Sequence, residues 1–307
     1  MSPDGSPNTG HSVFQRLLNY AKSHDEDFNM VLSRYGIERL LYRLSISPYA
    51  DRFVLKGASL FLVWTGQNVR PTRDADFLGF GDSDTSHVAS VFAKLCSVSG
   101  EDVDGVRFLV ESVMADDIRD NQEYAGVRVR LRALLHTAEI AVQVDIGFGD
   151  AVTPGIENAL FPTLLEGMPA PAVRVYPRYT MVAEKFEAMV RLGIANSRMK
   201  DFYDVWLLSR LFEFDGKLLA GAVRNTFERR STPPRAGRPM AFSEEFTNDR
   251  QKQAQWRAFV RKSRSEAVSG DLGAAMSDIA AFLMPVMEAM RDDRTFESSW
   301  PKGGPWR

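Results

Sequence analysis

A six-residue run near the middle of the chain alternates apolar and basic side chains: Val127-Arg128-Val129-Arg130-Leu131-Arg132. Successive side chains of a strand point to opposite faces, so such a strand buries its valines and its leucine and leaves its arginines in water. Strand-like segments lie on both sides of the run, at 106–113 and 139–148. The pattern therefore predicts a sheet with one buried face and one exposed face.

The rest of the chain is dominated by helical periodicity, in which apolar residues recur every three to four positions. The N-terminal region shows it over 11–47, ending before Pro48, with Asp25 and Asp27 as candidate caps for its second helix. The second half shows it in five segments, at 180–192, 200–212, 216–229, about 243–265 and 272–291. Strands in the first half and helices in the second predict an α+β fold.

Residues 151–178 carry five prolines and have a loop-like pattern, which indicates a boundary between the two halves. We predict a disordered leader at 1–10 and a core domain with N-terminal helices at 11–160. A helical domain follows at 161–294, and a frayed tail at 295–307.

Composition excludes several classes of protein. The formal net charge is −2 over 307 residues, which argues against a surface coated with basic charge. Cys96 is the single cysteine, so a disulfide within the chain is excluded and a reducing cytoplasm is expected. No apolar run approaches the roughly 20 residues that span a bilayer, so we expect no membrane association.

Asp74 and Asp76 stand at i and i+2 in the apolar run Asp74-Ala75-Asp76-Phe77-Leu78. In a strand both carboxylates point to the same face and repel each other unless a cation lies between them. Asp145 occupies the polar side of a second predicted strand and is a candidate third ligand. The alternative is that all three are solvated surface carboxylates.

Three further features are ambiguous when each is taken alone. Gly57-Ala58-Ser59 follows a short apolar strand and offers backbone N–H groups and a hydroxyl to a phosphate, to which Thr72 adds a second hydroxyl. Lys185 interrupts an apolar helix face, either snorkelling to water or pointing into a cleft. Asp201 begins the next helix, where the helix dipole alone favours a carboxylate.

These stretches share the order and spacing of one known family. The motifs KGASL, RPTRDAD, VDIGFGD, AEKFEAMV and RMKDFYDVWLL resemble the AbiEii/AbiGii nucleotidyltransferase toxins, which include the mycobacterial MenT-type enzymes. The resemblance covers roughly residues 30–215. Ala58 departs from it where many members carry a second glycine, and Asp145 is a less secure match than the other residues.

The resemblance implies a DNA polymerase β-type core, a mixed sheet flanked by helices, followed by a helical C-terminal domain. It implies that Asp74 and Asp76 hold Mg²⁺, with Asp145 as the third ligand. Gly57, Ser59 and Thr72 would contact the nucleotide, and Lys185 would pair with its phosphates. Asp201 would act as a base or an orienting group, and Thr72 is a candidate site of regulatory phosphorylation. The active site is expected in a cleft between the two domains.

The same resemblance implies a toxin encoded beside an antitoxin, transferring NMP from an NTP to RNA, foremost the 3′ end of tRNA. The candidate RNA contacts are basic residues of the second half: Arg224, Arg229, Arg230, Arg235, Arg238, Arg257, Arg261, Lys262 and Arg264. The alternative for these residues is a solvated basic loop and helix face. The alternatives for the activity are transfer to a small molecule or a protein, and an NTP-binding regulator without transfer activity.

Overall fold

The computed structural model describes residues 9–118, 126–234, 237–263 and 270–307. The chain forms two compact units. The first comprises Met1–Gly149 and Glu157–Val175, and the second comprises Asp150–Ile156 and Tyr176–Arg307. Most of the predicted leader, residues 1–8, lies outside the described residues, and its last two residues, Thr9 and Gly10, are not disordered but begin a helix.

The first unit is built on a seven-stranded sheet. Its strands are β1 (Phe53–Lys56), β2 (Asp74–Gly79), β3 (Val106–Asp117), β4 (Gly126–Leu135), β5 (Ala138–Phe148), β6 (Glu157–Leu160) and β7 (Ala172–Val175). Their order across the sheet is β3-β4-β5-β2-β1-β7-β6. Two pairs, β2–β5 and β1–β7, are parallel and the other four are antiparallel, which confirms the predicted mixed sheet.

The described residues of the first unit also form five α-helices: α1 (Thr9–Ser23), α2 (Phe28–Ser45), α3 (Ser59–Thr65), α4 (Thr85–Cys96) and α5 (Glu101–Asp104). The Asp27 carboxylate caps α2 by accepting from the Met30 amide, as predicted. On β4, Val127, Val129 and Leu131 are buried, as the alternation predicts. The opposite face of β4 carries its arginines, and the candidate metal ligands lie on the same face of the sheet, on β2 and β5.

The second unit is helical, with α6 (Arg178–Leu192), α7 (Met199–Leu211), α8 (Gly216–Arg229), α9 (Glu244–Asn248), α10 (Arg250–Ser263) and α11 (Leu272–Arg291). Two short strands, β8 (Phe214–Asp215) and β9 (Ser299–Trp300), pair antiparallel. A mixed sheet followed by a helical region confirms the predicted fold class.

Three expectations about secondary structure were wrong. Residues 151–178 are not all loop, because β6 and β7 lie within them and add to the sheet of the first unit. The segment at 243–265 forms two helices, α9 and α10, rather than one. The tail is not frayed: Trp300 is buried in β9, and Trp306 Nε1 donates to the Phe282 carbonyl.

Helix α11 also corrects the expectation that no segment reaches the length of a membrane span. It has 20 residues and an apolar stretch of mean hydropathy 1.3, of which 56% is buried inside the structure. Phe282, near its middle, stacks on Trp306 and contacts Phe214 and Trp300. These contacts are those of a core helix.

Candidate active site

Three carboxylates converge on the open face of the sheet. β5 runs parallel to β2, and their register places Asp76 opposite Asp145 and Asp74 opposite Gln143. Because side chains alternate along a strand, Asp74, Asp76 and Asp145 share one face. An oxygen from each lies within 4.8 Å of the others, and all three residues are half-buried. The register thus brings together the three carboxylates predicted as metal ligands.

The Thr72 hydroxyl lies beside the first of these carboxylates. It donates a 2.8 Å hydrogen bond to Asp74 Oδ1. The bond joins residues i and i+2 just before β2 and restricts the rotation of the Asp74 side chain. Thr72, predicted to contact the nucleotide, therefore orients a candidate metal ligand.

The turn from β1 into α3 is fitted closely to Asp76. Gly57 has φ +76°, a conformation that costs little only for glycine. A Cβ at this position would lie 2.9 Å from Asp76 Cγ, closer than side chains tolerate. Lys56 pairs with Asp76 in the β1–β2 register, so the turn begins next to the carboxylate cluster. Glycine is needed here for both its backbone conformation and its lack of a side chain.

Ser59 is the first residue of α3 and is buried. It borders a small hollow together with Thr72, Asn68 and Arg34. Two of the residues predicted to bind the nucleotide, Ser59 and Thr72, thus line the same hollow. The third, Gly57, lies against the Asp76 carboxylate.

Arg128 of β4 binds the third carboxylate at two points. Its Nε donates to Asp145 Oδ1 at 2.8 Å and its Nη2 donates to Oδ2 at 2.6 Å. Gln143 Nε2 adds a longer bond of 3.3 Å to Oδ1. Both Asp145 oxygens therefore accept from protein donors, and the carboxylate is partly neutralised.

An open groove of about 660 Å³ adjoins Asp74 on the same unit. Its lining includes the basic residues Arg73, Arg130 and Arg132, and the amide of Gln143. Ligand sites commonly have volumes of about 300–1,000 Å³. The groove offers enough room for a nucleotide or the end of an acceptor beside the carboxylates.

The predicted residues of the second unit form a separate buried ion cluster. Lys185 Nζ of α6 lies 2.7 Å from Asp201 Oδ1 and 2.9 Å from Asp204 Oδ2, both on α7. Arg198 Nε lies 2.6 Å from Asp201 Oδ2. The Lys185 side chain is 12% exposed and the two carboxylates are at most 1% exposed. Lys185 therefore does not snorkel to water; it neutralises two buried carboxylates.

The cluster sets the charge state of Asp201. Burial by itself would raise the pKa of this carboxyl, but the ammonium of Lys185 and the guanidinium of Arg198 outweigh burial and hold the pKa below its usual range. Asp201 is consequently ionised at neutral pH. The two positive charges of Lys185 and Arg198 balance the two negative charges of the carboxylates on α7.

Comparison with known proteins identifies the family of the chain. A family model described as the nucleotidyl transferase AbiEii toxin of type IV toxin–antitoxin systems matches residues 39–282, more than half of the chain. The chain belongs to the AbiEii family. It is accordingly a nucleotidyltransferase enzyme of a toxin–antitoxin system, for which the family implies nucleotide substrates and an antitoxin partner.

Two solved structures are distantly similar to this chain. A putative nucleotidyltransferase from Helicobacter pylori is 15% identical, with a TM-score of 0.45 over 92% of this chain and 99% of that one. JHP933 from Helicobacter pylori is also 15% identical, with a TM-score of 0.43 over 91% of this chain and 94% of that one. No curated protein matches this AbiEii family member.

The carboxylate cluster fits the divalent metal that nucleotidyltransferases generally use. Asp74, Asp76 and Asp145 offer oxygen atoms within 4.8 Å of one another, and carboxylate oxygens are ligands that hard divalent cations such as Mg²⁺ and Mn²⁺ prefer. Thr72 orients one carboxylate and Gly57 leaves room for another. Among the described residues this is the one group of three or more potential metal ligands close enough to share an ion.

Two residues of this AbiEii family member were missed by sequence reasoning. Asp204 stands at i+3 from Asp201 and so shares its helix face, a spacing that could have indicated a second partner for Lys185. Arg128 lies on the polar face of β4, which the alternation located, but its pairing with Asp145 depends on the β4–β5 register.

The basic residues predicted to contact RNA differ in their ion pairs and their exposure. Arg230 is not available, because it pairs with Asp150 at 3.0 Å and with Glu187 at 3.0 Å inside the second unit. Arg224 pairs with Asp293 at 3.1 Å. Five others are exposed: Arg229, Arg238, Arg257, Arg261 and Lys262. Arg235 and Arg264 lie outside the described residues.

Proposed function

We propose that this AbiEii family protein is a Mg²⁺-dependent enzyme that transfers NMP from an NTP to an RNA acceptor, foremost the 3′ end of tRNA. An acceptor hydroxyl attacks the α-phosphorus, a new P–O bond forms, the bond to the β-phosphate breaks and pyrophosphate leaves. The observation that carries the proposal is the set of three carboxylates within 4.8 Å, next to a groove of about 660 Å³.

In this proposal Asp74, Asp76 and Asp145 hold the cation. When bound, Mg²⁺ supplies the positive charge that offsets the triphosphate in the transition state. Thr72 keeps Asp74 in its binding orientation through their 2.8 Å hydrogen bond. Gly57 and Ser59 contact the β- and γ-phosphates through the turn that begins α3.

Lys185 and Asp201 are proposed to serve the same reaction. A direct contact of Lys185 with phosphate would compete with Asp201 and Asp204, which lie 2.7 and 2.9 Å from its ammonium. Asp201 is held ionised with a lowered pKa, which makes it a weak proton acceptor. We therefore assign Asp201 an orienting role, holding the lysine, rather than that of a general base.

The RNA acceptor is supported by exposed basic residues of the second unit, Arg257, Arg261 and Lys262 on α10 among them. Cationic side chains at a surface bind phosphates and account for most non-specific affinity for RNA.

We place the reaction in the cytoplasm, where NTPs and tRNA are available. Burial raises the pKa of Cys96 to about 12, so this thiol stays protonated at neutral pH.

The test uses the full-length protein with each α-³²P-labelled NTP, Mg²⁺ and total tRNA. We expect label at the RNA 3′ end with wild type and none with Asp76→Asn. Asp82→Asn, an exposed aspartate in the loop after β2, is the matched control and keeps activity. Label on the protein would favour a protein acceptor, and absence of transfer to RNA with every NTP would overturn the proposal.

A further inference from the structure

Arg128 and Asp145 are paired by the architecture of the sheet. The β4–β5 register sets the two residues directly opposite each other. Their pairing uses both carboxylate oxygens, at 2.8 and 2.6 Å. Parallel N–H···O bonds of this kind are among the stronger polar contacts in proteins. The arrangement is therefore a defined two-point pair and not a passing surface contact.

The same carboxylate belongs to the candidate metal site. One of its oxygens lies within 4.8 Å of oxygens from Asp74 and Asp76. Asp74, by contrast, accepts from the neutral hydroxyl of Thr72. A divalent cation bound between the three aspartates would thus share Asp145 with a guanidinium. The cation and the guanidinium are both positive, and two such charges on one carboxylate repel each other strongly in a partly buried site.

Resting on the proposed function, we propose that Arg128 competes with the divalent cation for Asp145, so that Asp145 becomes a full metal ligand only when its two-point pair with Arg128 opens. Arg128 then acts as a positioning residue that sets the affinity of the metal site. In the metal-free protein it offsets the repulsion among three clustered carboxylates.

The surroundings permit the pair to open without disturbing the fold. The Arg128 side chain is 34% exposed and that of Asp145 is 19% exposed, so the guanidinium can swing into water. The neighbouring residues Val127 and Val129 are buried and keep β4 in the sheet. Opening requires a side-chain rotation and no change in strand register.

The experiment is a Mn²⁺ titration of the full-length protein without nucleotide, followed by electron paramagnetic resonance of free Mn²⁺. We expect Arg128→Gln to bind Mn²⁺ about tenfold more tightly than wild type, the order expected when a charge-assisted two-point pair no longer has to be broken. Arg128→Lys, which keeps the charge but loses the fork, should lie between the two.

The matched control is Arg130→Gln. Arg130 lies on the same strand and face and pairs at 2.9 Å with Asp116, so its loss removes an equal charge without touching Asp145. Its effect on Mn²⁺ affinity should be less than twofold. In an Asp145→Asn background, Arg128→Gln should bring no gain.

Equal or weaker Mn²⁺ binding by Arg128→Gln would overturn the proposal, as would an equal gain in Arg130→Gln or a gain that persists without Asp145. Thermal unfolding of each variant checks that it is folded, and Arg128→Lys serves if the glutamine variant is not. Neither NTP nor RNA is present, so failure of the transfer assay and failure of this prediction are separate results.

Discussion

A Cβ on residue 57 would lie 2.9 Å from Asp76 Cγ, so the turn after β1 and the carboxylate on β2 fit together only when residue 57 is glycine. The fit joins a backbone conformation to a candidate metal ligand. Gly57 is consequently as much a part of the proposed metal site as a part of the proposed phosphate turn.

The first prediction concerns Gly57→Ala. The new methyl group would push Asp76 from its place, and a displacement near 1 Å at a reacting centre costs on the order of 100-fold in rate. We expect nucleotidyl transfer to fall by about that factor. The φ of +76° adds a loss of about 1–2 kcal/mol in the free energy of unfolding.

Gly66→Ala is the control for backbone strain. Gly66 has φ +70°, but a Cβ there would meet nothing within 4 Å. Both variants should lose similar stability in urea unfolding, while only Gly57→Ala loses transfer activity. Equal activity in the two variants would contradict the proposed fit.

The second prediction concerns Lys185→Met. Removing the ammonium leaves Asp201 and Asp204 buried without their shared partner, which typically costs about 3–5 kcal/mol. We expect the midpoint of urea unfolding to fall accordingly. Lys200→Met, at an exposed position of α7, should change stability by less than about 0.5 kcal/mol. A loss below about 1 kcal/mol for Lys185→Met would show that the cluster contributes little to folding.

A third prediction follows from Glu38 on α2. Burial raises its pKa from 4.5 to about 7, although Arg39 and the Leu164 amide oppose the shift. Between these values the folded state holds a proton that the unfolded state has released. Stability should therefore fall as pH rises from about 4.5 to 7, by about 3 kcal/mol from this group, and then level off.

Glu38→Gln should remove this slope. In the wild type, the Leu164 backbone N–H donates to Glu38 Oε2 at 2.7 Å. The side-chain amide oxygen of the variant can still accept this hydrogen bond. Urea unfolding at a series of pH values between 4.5 and 8 measures the effect. The same slope in wild type and variant would assign the pH dependence to other groups.

The fourth prediction tests the orientation of Asp74. Thr72→Val keeps the shape of the side chain and removes the hydroxyl that donates to Asp74 Oδ1. A hydrogen bond of this kind contributes about 1 kcal/mol, so we expect a roughly fivefold loss in transfer rate. Thr72→Ser retains the donor and should keep most of the activity. Full activity of Thr72→Val would remove Thr72 from the site.

Long elements with a regular apolar period were predictable from the sequence. The segment at 216–229 was predicted as a helix, and α8 has those bounds. The alternation at 127–132 located the buried face of β4. In such elements each residue's burial repeats along the chain, so local pattern and final structure agree.

Short elements held by distant contacts were not predictable in this way. β6 and β7 have four residues each within a proline-rich segment, and β7 is placed by its pairing with β1. The tail is ordered by contacts of Trp300 and Trp306 with Phe282 of α11. No period in the sequence carries such information, because each contact joins residues far apart in the chain.

In the candidate site too, local pattern was predictable from the sequence and distant contacts were not. Alternation predicted that Asp74 and Asp76 share a face, but their distance from Asp145 depends on how β5 pairs with β2. Lys185 stood out as a cation in an apolar stripe, whereas its pairing with Asp204 requires α6 to pack on α7. Residue types were visible in the sequence, and partners were not.

If the proposed site binds a cation, the parallel pairing of β2 with β5 makes that binding a reporter of folding. A shift of β5 by one residue would turn Asp145 to the opposite face and leave Asp74 and Asp76 without it. During refolding, the backbone hydrogen bonds of a helix join residues only four positions apart and can form early. Full Mn²⁺ affinity can return only after two strands distant in sequence have met in the correct register, so its recovery times the assembly of the sheet.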